Sequence, residues 1–199
     1  MRSTRIAVVA VALMSAIALA GCTSNDDLAN QYREGTGQGY ISGDGAYTVI
    51  AEADRGQPIT FSGEVESGET ASSDDYRGDV LVVNFWYAGC PPCRLEAPDL
   101  EALAQRFAPD GVSFLGVNIL DQAPTAMSFA EEFGVTYPSI LDVNDGSVRL
   151  AFAGQVAPAA TPTTLVLDQQ GRVAARISGL VSEPSVLRSM ITDVLAEAS

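Results

Sequence analysis

The chain has 199 residues, 47% of them hydrophobic, which is enough for one domain with a real core plus appendages. Its formal net charge of -14 argues against nucleic acid as a partner, because phosphate contacts need clustered cations. Histidine is absent, so Ser-His-Asp and Cys-His catalysis cannot operate within the chain, and cysteine remains the main candidate for chemistry.

Residues 1–21 have the pattern of an export signal. Arg2 and Arg5 form a short positive region, and the apolar stretch from Ile6 to Ala20 is too short to span a bilayer comfortably. Small residues directly before Cys22 resemble the lipobox of bacterial lipoproteins. The resemblance implies cleavage before Cys22, a lipid on its sulfur and stable anchoring to the membrane. An ordinary cleaved signal or an uncleaved signal anchor is the alternative.

The segment 22–57 is predicted to be a tether. It is polar and rich in glycine, as flexible linkers are. Two short β-prone runs, 40–41 and 47–50, flank a Gly-rich turn and predict a small hairpin. We therefore expect a tether with local strand structure, followed by a folded domain over 58–199.

The rest of the chain alternates strand and helix patterns. The run from Asp79 to Trp86 is almost entirely apolar, as expected of a strand covered on both faces. The predicted strands cover 59–65, 79–86, 112–119, 139–141, 163–167 and 172–177, and the predicted helices cover 93–107, 124–133 and 184–197. This order predicts an α/β fold with a central mixed sheet, helices on both faces and an N-terminal strand or hairpin extension.

The motif Cys90-Pro91-Pro92-Cys93 lies where the buried strand is predicted to end and the first helix to begin. Cysteines three residues apart fall on one side of a helical turn, close enough for a disulfide. Cys90 is predicted to lie near the helix N-terminus, where free amide N–H groups stabilise a thiolate and lower its pKa. The two prolines remove two N–H donors and stiffen the loop.

Closely spaced cysteines also occur in zinc sites, haem attachment sites and structural disulfides. Zinc would find only these two sulfurs and carboxylates as ligands, and haem attachment needs a histidine where Arg94 stands. A structural disulfide stays open, although so short a loop removes little entropy from the unfolded chain. The third cysteine, Cys22, is assigned to the lipid anchor, so the cysteine count favours a redox pair. No metal or other cofactor is predicted.

Four segments resemble the TlpA/ResA branch of thioredoxin-like proteins. They are Val83-Asn84-Phe85-Trp86, Cys90-Pro91-Pro92-Cys93, Arg94-Leu95-Glu96-Ala97-Pro98 and Thr161-Pro162-Thr163-Thr164. The resemblance runs from about Ile59 to the C-terminus and implies a thioredoxin-like fold. The last segment precedes a predicted strand, as does the family's cis-proline segment. The resemblance implies a cis Thr161–Pro162 peptide that faces the cysteines and docks the substrate chain.

The same resemblance implies roles for individual residues. Cys90 is implied to be the exposed, attacking thiolate, and Cys93 the resolving thiol one turn deeper. Glu96 matches a family glutamate that is linked to proton handling at the cysteines, and a solvated helix carboxylate is the alternative. The residues implied to bind substrate are Trp86, Pro91, Pro92, Thr161 and Pro162. For Trp86, core packing is the alternative.

Two positions depart from the patterns of related proteins. Asn84 stands six residues before Cys90, where thioredoxins carry a buried acid. An amide cannot titrate, so Glu96 is the better candidate for proton transfer. Gly89 directly precedes Cys90, where members of the family often carry tryptophan, and the usual substrate surface is therefore in doubt.

The resemblance implies a lipid-anchored, extracytoplasmic thiol-disulfide oxidoreductase. Its expected partners are disulfides of exported proteins, including apocytochrome c before haem attachment, and a membrane electron donor of the CcdA/DsbD type. An oxidase that donates its disulfide to folding proteins would use the same residues and differ only in reduction potential. A thiol peroxidase would need threonine where Tyr87 stands, and a non-enzymatic binding module would not need the intact motif.

Overall fold

The computed structural model describes residues 47–156 and 160–197, so the predicted export signal, Cys22 and most of the predicted tether lie outside it. The strands are β1 (Tyr47–Val49), β2 (Ser62–Glu64), β3 (Thr70–Ser72), β4 (Val80–Trp86), β5 (Val112–Asn118), β6 (Ser139–Leu141), β7 (Thr163–Leu167) and β8 (Val173–Ser178). The α-helices are α1 (Pro91–Phe107), α2 (Ala123–Phe133), α3 (Ser147–Ala151) and α4 (Pro184–Ala196). None of these described helices is long and apolar enough to cross a bilayer.

A six-stranded mixed sheet forms the centre of the domain, in the order β1-β8-β7-β4-β5-β6. Strands β4, β5 and β6 are parallel, whereas β7, β8 and β1 pair antiparallel. The register pairs Asn84 with Thr164 and Trp86 with Asn118. The end of β4 that leads to the cysteines therefore lies beside the start of β7, directly after Pro162.

Alternate residues of β4 face two different cores, as the two-residue period of a strand requires. Val80 and Val82 pack with α1 and α4 on one face. Leu81 and Val83 pack on the other face with Phe152, beside α3 and the β2–β3 hairpin. All seven residues of β4 are buried, which confirms the prediction of a doubly covered strand. Helices lie on both faces of a mixed sheet, as predicted.

Several short elements differ from the sequence prediction. The strand predicted over 59–65 is limited to Ser62–Glu64, which pairs with the unpredicted strand Thr70–Ser72. Helix Ser147–Ala151 was also not predicted, because five residues are too few to show a helical period. Tyr47–Val49 pairs with β8, and the predicted hairpin partner at 40–41 lies outside the described residues.

A buried ion cluster fixes the segment that follows β1. The Arg55 side chain is 2% exposed and donates to Asp168 at 3.1 Å and to both carboxylate oxygens of Glu197 at 2.6 Å. Arg172 donates to the same Asp168 oxygen at 2.7 Å. Residues that the sequence assigns to the tether thus lie against the domain, and the folded unit begins no later than Tyr47.

Candidate active site

Cys90 and Cys93 form a disulfide bond at the junction of β4 and α1. The S–S distance is 2.07 Å and the Cα–Cα distance is 5.3 Å. Cys90 is the N-cap residue of α1, and the backbone N–H of Cys93 donates to its Sγ at 3.3 Å. The helix begins at Pro91 because proline suits a first turn, where no N–H is required. Helix N-termini of this kind favour an anion at the N-cap position.

The two cysteines are equally buried, and each is 2% exposed. They belong to an apolar cluster that includes Trp86 and Phe129. The expectation that Cys90 is the exposed member is therefore wrong for the disulfide state. Cys90 ends a tight turn in which its N–H donates to the Tyr87 carbonyl at 3.1 Å, and its sulfur is bonded inward to Cys93.

Glu96 lies one helical turn beyond Cys93 and is 1% exposed. Its carboxylate accepts a hydrogen bond from Asn84 Nδ2 at 2.9 Å and another from the Val181 N–H at 2.9 Å. Burial raises the pKa of Glu96 from 4.5 to about 7, although both hydrogen bonds oppose the rise. A carboxyl group with this pKa exchanges its proton readily near neutral pH, as a general acid or base requires.

Asn84 connects Glu96 to the neighbouring strand. One proton of its side-chain amide goes to Glu96, and Nδ2 also donates to Thr164 Oγ1 at 3.0 Å. All three side chains are at most 5% exposed. Because an amide carries no charge, it stabilises the Glu96 carboxylate without competing for its proton. Among these three side chains, Glu96 is therefore the one that can titrate near neutral pH.

The Thr161–Pro162 peptide bond is cis, as the resemblance implies. Pro162 is buried and Thr161 is half-buried. The Pro162 carbonyl accepts a hydrogen bond from Gly179 at 2.9 Å, and two residues later Val181 donates to Glu96. The loop after β8 is therefore held at one end by the cis-proline segment and at the other by the buried carboxylate.

The residues predicted to bind substrate occupy different environments. Trp86 is only 6% exposed, donates from Nε1 to Ser139 Oγ at 3.1 Å and packs on Phe129 at a centroid distance of 4.3 Å. These contacts favour the alternative of core packing for Trp86, because the strand alternation directs its side chain toward α2. Pro91 is exposed and Pro92 half-buried, so both are accessible beside the cysteines.

A side-chain clamp on the loop before Cys90 was not predicted. Asp121 Oδ2 accepts from the Ala88 N–H at 2.6 Å and from Asn118 Nδ2 at 3.0 Å. Arg94 Nη1 donates to the Ala88 carbonyl at 3.4 Å. The available signal was Asn118 at the end of the apolar strand β5 and Asp121 just after it, because the ends of parallel neighbours lie at one edge of a sheet.

Comparison with known proteins identifies the family. The family model described as Redoxin matches residues 52–191. The chain belongs to the Redoxin family. The thiol-disulfide oxidoreductase ResA of Geobacillus kaustophilus is 34% identical over 116 residues, which are 58% of this chain and 64% of the relative. The thiol:disulfide interchange protein HelX of Rhodobacter capsulatus is 36% identical over 119 residues, which are 60% of this chain and 62% of the relative.

A solved structure extends the comparison to the fold. The secreted thiol-disulfide isomerase of Corynebacterium glutamicum superposes with a TM-score of 0.67 at 31% identity, covering 80% of this chain and 98% of the other. This likeness confirms the thioredoxin-like fold, and the relatives confirm the resemblance to the ResA group. The matched region spans less than two thirds of the two curated relatives described above.

Replacing Glu96 with glutamine is expected to change how stability depends on pH. The folded chain holds the Glu96 proton more tightly than the unfolded chain, so the wild type loses stability as pH rises from 4.5 through about 7. The loss amounts to roughly 3 kcal/mol, and Glu96→Gln lacks it. The free energy of unfolding of the variant, relative to that of the wild type, should therefore rise by roughly 3 kcal/mol between acidic pH and about pH 8.

Urea unfolding of the oxidised proteins over this pH range measures the difference. Glu131→Gln on the exposed face of α2 is the matched control, and its stability should follow the wild type at every pH. A pH-independent difference between Glu96→Gln and the wild type would contradict a buried carboxyl with a raised pKa.

Proposed function

We propose that the chain is a thiol-disulfide oxidoreductase that reduces disulfides in exported proteins. The observation that carries the proposal is the Cys90–Cys93 pair at the N-terminus of α1, one turn from the buried carboxyl of Glu96. A helix N-terminus favours the thiolate that such exchange needs, and a carboxyl with a pKa of about 7 can take up and return a proton. The ResA and HelX relatives have names that describe the same chemistry.

The proposed reaction consists of two exchange steps. The Cys90 thiolate attacks one sulfur of the substrate disulfide, a mixed disulfide forms, and the first substrate thiolate leaves. Cys93 then loses its proton toward Glu96 and attacks Cys90 Sγ, which restores the internal disulfide and releases the second substrate thiolate. Two electrons pass from the chain to the substrate in each cycle. A reduced dithiol partner must then restore the Cys90 and Cys93 thiols.

The resemblance to the ResA group supports finer proposals about the partners. We infer that the substrates include the cysteines of apocytochrome c before haem attachment, and that the dithiol donor is a membrane carrier of the CcdA/DsbD type. Thr161, Pro162, Pro91 and Pro92 are proposed to contact the substrate chain beside the disulfide. Because Pro162 is buried, its contribution is expected through the backbone of its loop.

Replacing Cys93 with alanine is expected to trap the substrate. The first exchange step still proceeds, but no resolving thiol remains, so a client stays bonded to Cys90. Non-reducing electrophoresis of membranes that contain the variant, followed by mass spectrometry, measures the adducts. The double variant Cys90→Ser, Cys93→Ala is the control and should accumulate none. A Cys93→Ala chain that never forms adducts, although it is folded, would contradict the proposed reaction.

The reduction potential of the pair is expected to lie nearer to that of thioredoxin, about -270 mV, than to that of DsbA, about -120 mV. The physical reason is the buried Glu96, one helical turn after Cys93, because a negative charge this near to the pair disfavours thiolates and so stabilises the disulfide. Equilibration with glutathione buffers of known potential measures it. A value near that of DsbA would assign the chain to the oxidase alternative, and Glu96→Gln should make the potential less negative.

Anchoring through a lipid on Cys22 predicts where the protein is found. The motif before Cys22 supports a location at the membrane. The similar protein of Corynebacterium glutamicum is described as secreted, which agrees with export. The wild type should sediment with membranes and carry the mass of a lipid on a chain that begins at Cys22. Cys22→Ser should lose the lipid, and Cys90→Ser should keep it. An unmodified Cys22 in the mature chain would contradict the anchor.

A further inference from the structure

The residue before Cys90 has no side chain, although the backbone does not require glycine there. Gly89 is not among the described glycines with positive φ. A Cβ built at Gly89 would meet only the ring of Tyr87, at 3.5 Å, which is an ordinary van der Waals contact. Gly89 is also exposed. An open position therefore lies in front of an aromatic ring, one residue from the attacking sulfur.

The loop that holds this open position is fixed by its own hydrogen bonds. The Cys90 N–H donates to the Tyr87 carbonyl at 3.1 Å and closes a turn around Ala88. Asp121 and Arg94 bind the N–H and the carbonyl of Ala88 from two sides, at 2.6 Å and 3.4 Å. The Tyr87 ring and the open position are thus present before any partner arrives.

The chemistry around the open position is apolar. Tyr87 is half-buried and packs on the edge of the cysteine cluster, while Pro91 is exposed on the helix side. Leu95 lies one turn after Pro91 on α1 and is 68% exposed. The nearby Arg94 pairs with Glu132 at 2.6 Å. An uncharged side chain would therefore meet mainly apolar surface here, and a charged one would find the Arg94 guanidinium already paired with Glu132.

We propose that Tyr87 and the open position at Gly89 form a specificity subsite for the side chain that flanks the substrate cysteine. The subsite favours aromatic and aliphatic side chains over small polar ones. The subsite rests on the proposed disulfide exchange. It gives the Tyr87 ring a role in binding substrate in addition to its packing on the cysteine cluster. It also supplies an aromatic surface beside Cys90 without a side chain at position 89.

The test uses the reduced full-length protein and three disulfides in single-turnover mixing experiments. Two are peptide disulfides that differ only in the flanking residues, phenylalanine in one and serine in the other, so net charge is matched. The third is hydroxyethyl disulfide, which has no flanking side chain. The fluorescence of Trp86, the single tryptophan of the chain, reports oxidation because Trp86 packs in the cluster with both cysteines.

The wild type should reduce the phenylalanine peptide about tenfold faster than the serine peptide, as a new aromatic contact allows. Tyr87→Ala should bring that ratio close to one. Gly89→Leu fills the subsite and should slow the phenylalanine peptide about tenfold. Both variants should reduce hydroxyethyl disulfide at the wild-type rate. Leu150→Ala, an exposed apolar position on α3, is the control and should keep the wild-type ratio.

The outcomes separate this proposal from the proposed function. A wild type that reduces none of the three disulfides would overturn the exchange reaction itself. A wild type that reduces all of them, with the same peptide ratio in Tyr87→Ala, would overturn the subsite alone. Equal slowing of hydroxyethyl disulfide by Gly89→Leu would also overturn it, because the new side chain would then be blocking the sulfur rather than filling a subsite.

Discussion

The buried carboxyl of Glu96 is the constraint on which the site depends. Its two oxygens accept hydrogen bonds from Asn84 on β4 and from Val181 in the loop after β8, so one side chain joins three segments around the disulfide. A carboxylate is suited to this position because it accepts without needing to donate. The same burial raises its pKa to about 7, and the group that joins these segments is therefore also the one proposed to move a proton there.

Burial of Glu96 lowers the stability of the fold at neutral pH and suits the carboxyl to the proposed proton exchange. A carboxyl with an ordinary pKa would be ionised at neutral pH and would exchange its proton poorly with a thiol. Burial raises the pKa of Glu96 toward neutral pH, but it makes the folded chain less stable at any pH at which Glu96 is ionised. The proposed proton transfer and the stability of the fold thus both depend on the desolvation of Glu96.

The sequence predicted those parts of the structure that follow from local patterns. An unbroken apolar run predicted β4, and the Cys-Pro-Pro-Cys motif predicted the disulfide at a helix N-terminus. Contacts between distant segments could not be predicted, because local sequence patterns do not indicate that Asp121 binds Ala88 or that Arg55 binds Asp168. The burial of Trp86 depends on which face of β4 its side chain takes. The equal burial of the cysteines depends on the turn that the Cys90 N–H closes by donating to the Tyr87 carbonyl.

The division between a fixed framework and a variable loop explains how one fold can serve different substrates. Strand β4 and helix α1 determine where the two sulfurs lie, and both are held by the core. The three residues between Trp86 and Cys90 lie outside the strands and helices. Their backbone is nevertheless fixed, because Asp121 and Arg94 bind the N–H and the carbonyl of Ala88. Side chains at Tyr87 and Gly89 can therefore differ without displacing the sulfurs, so selectivity can change while the exchange chemistry stays the same.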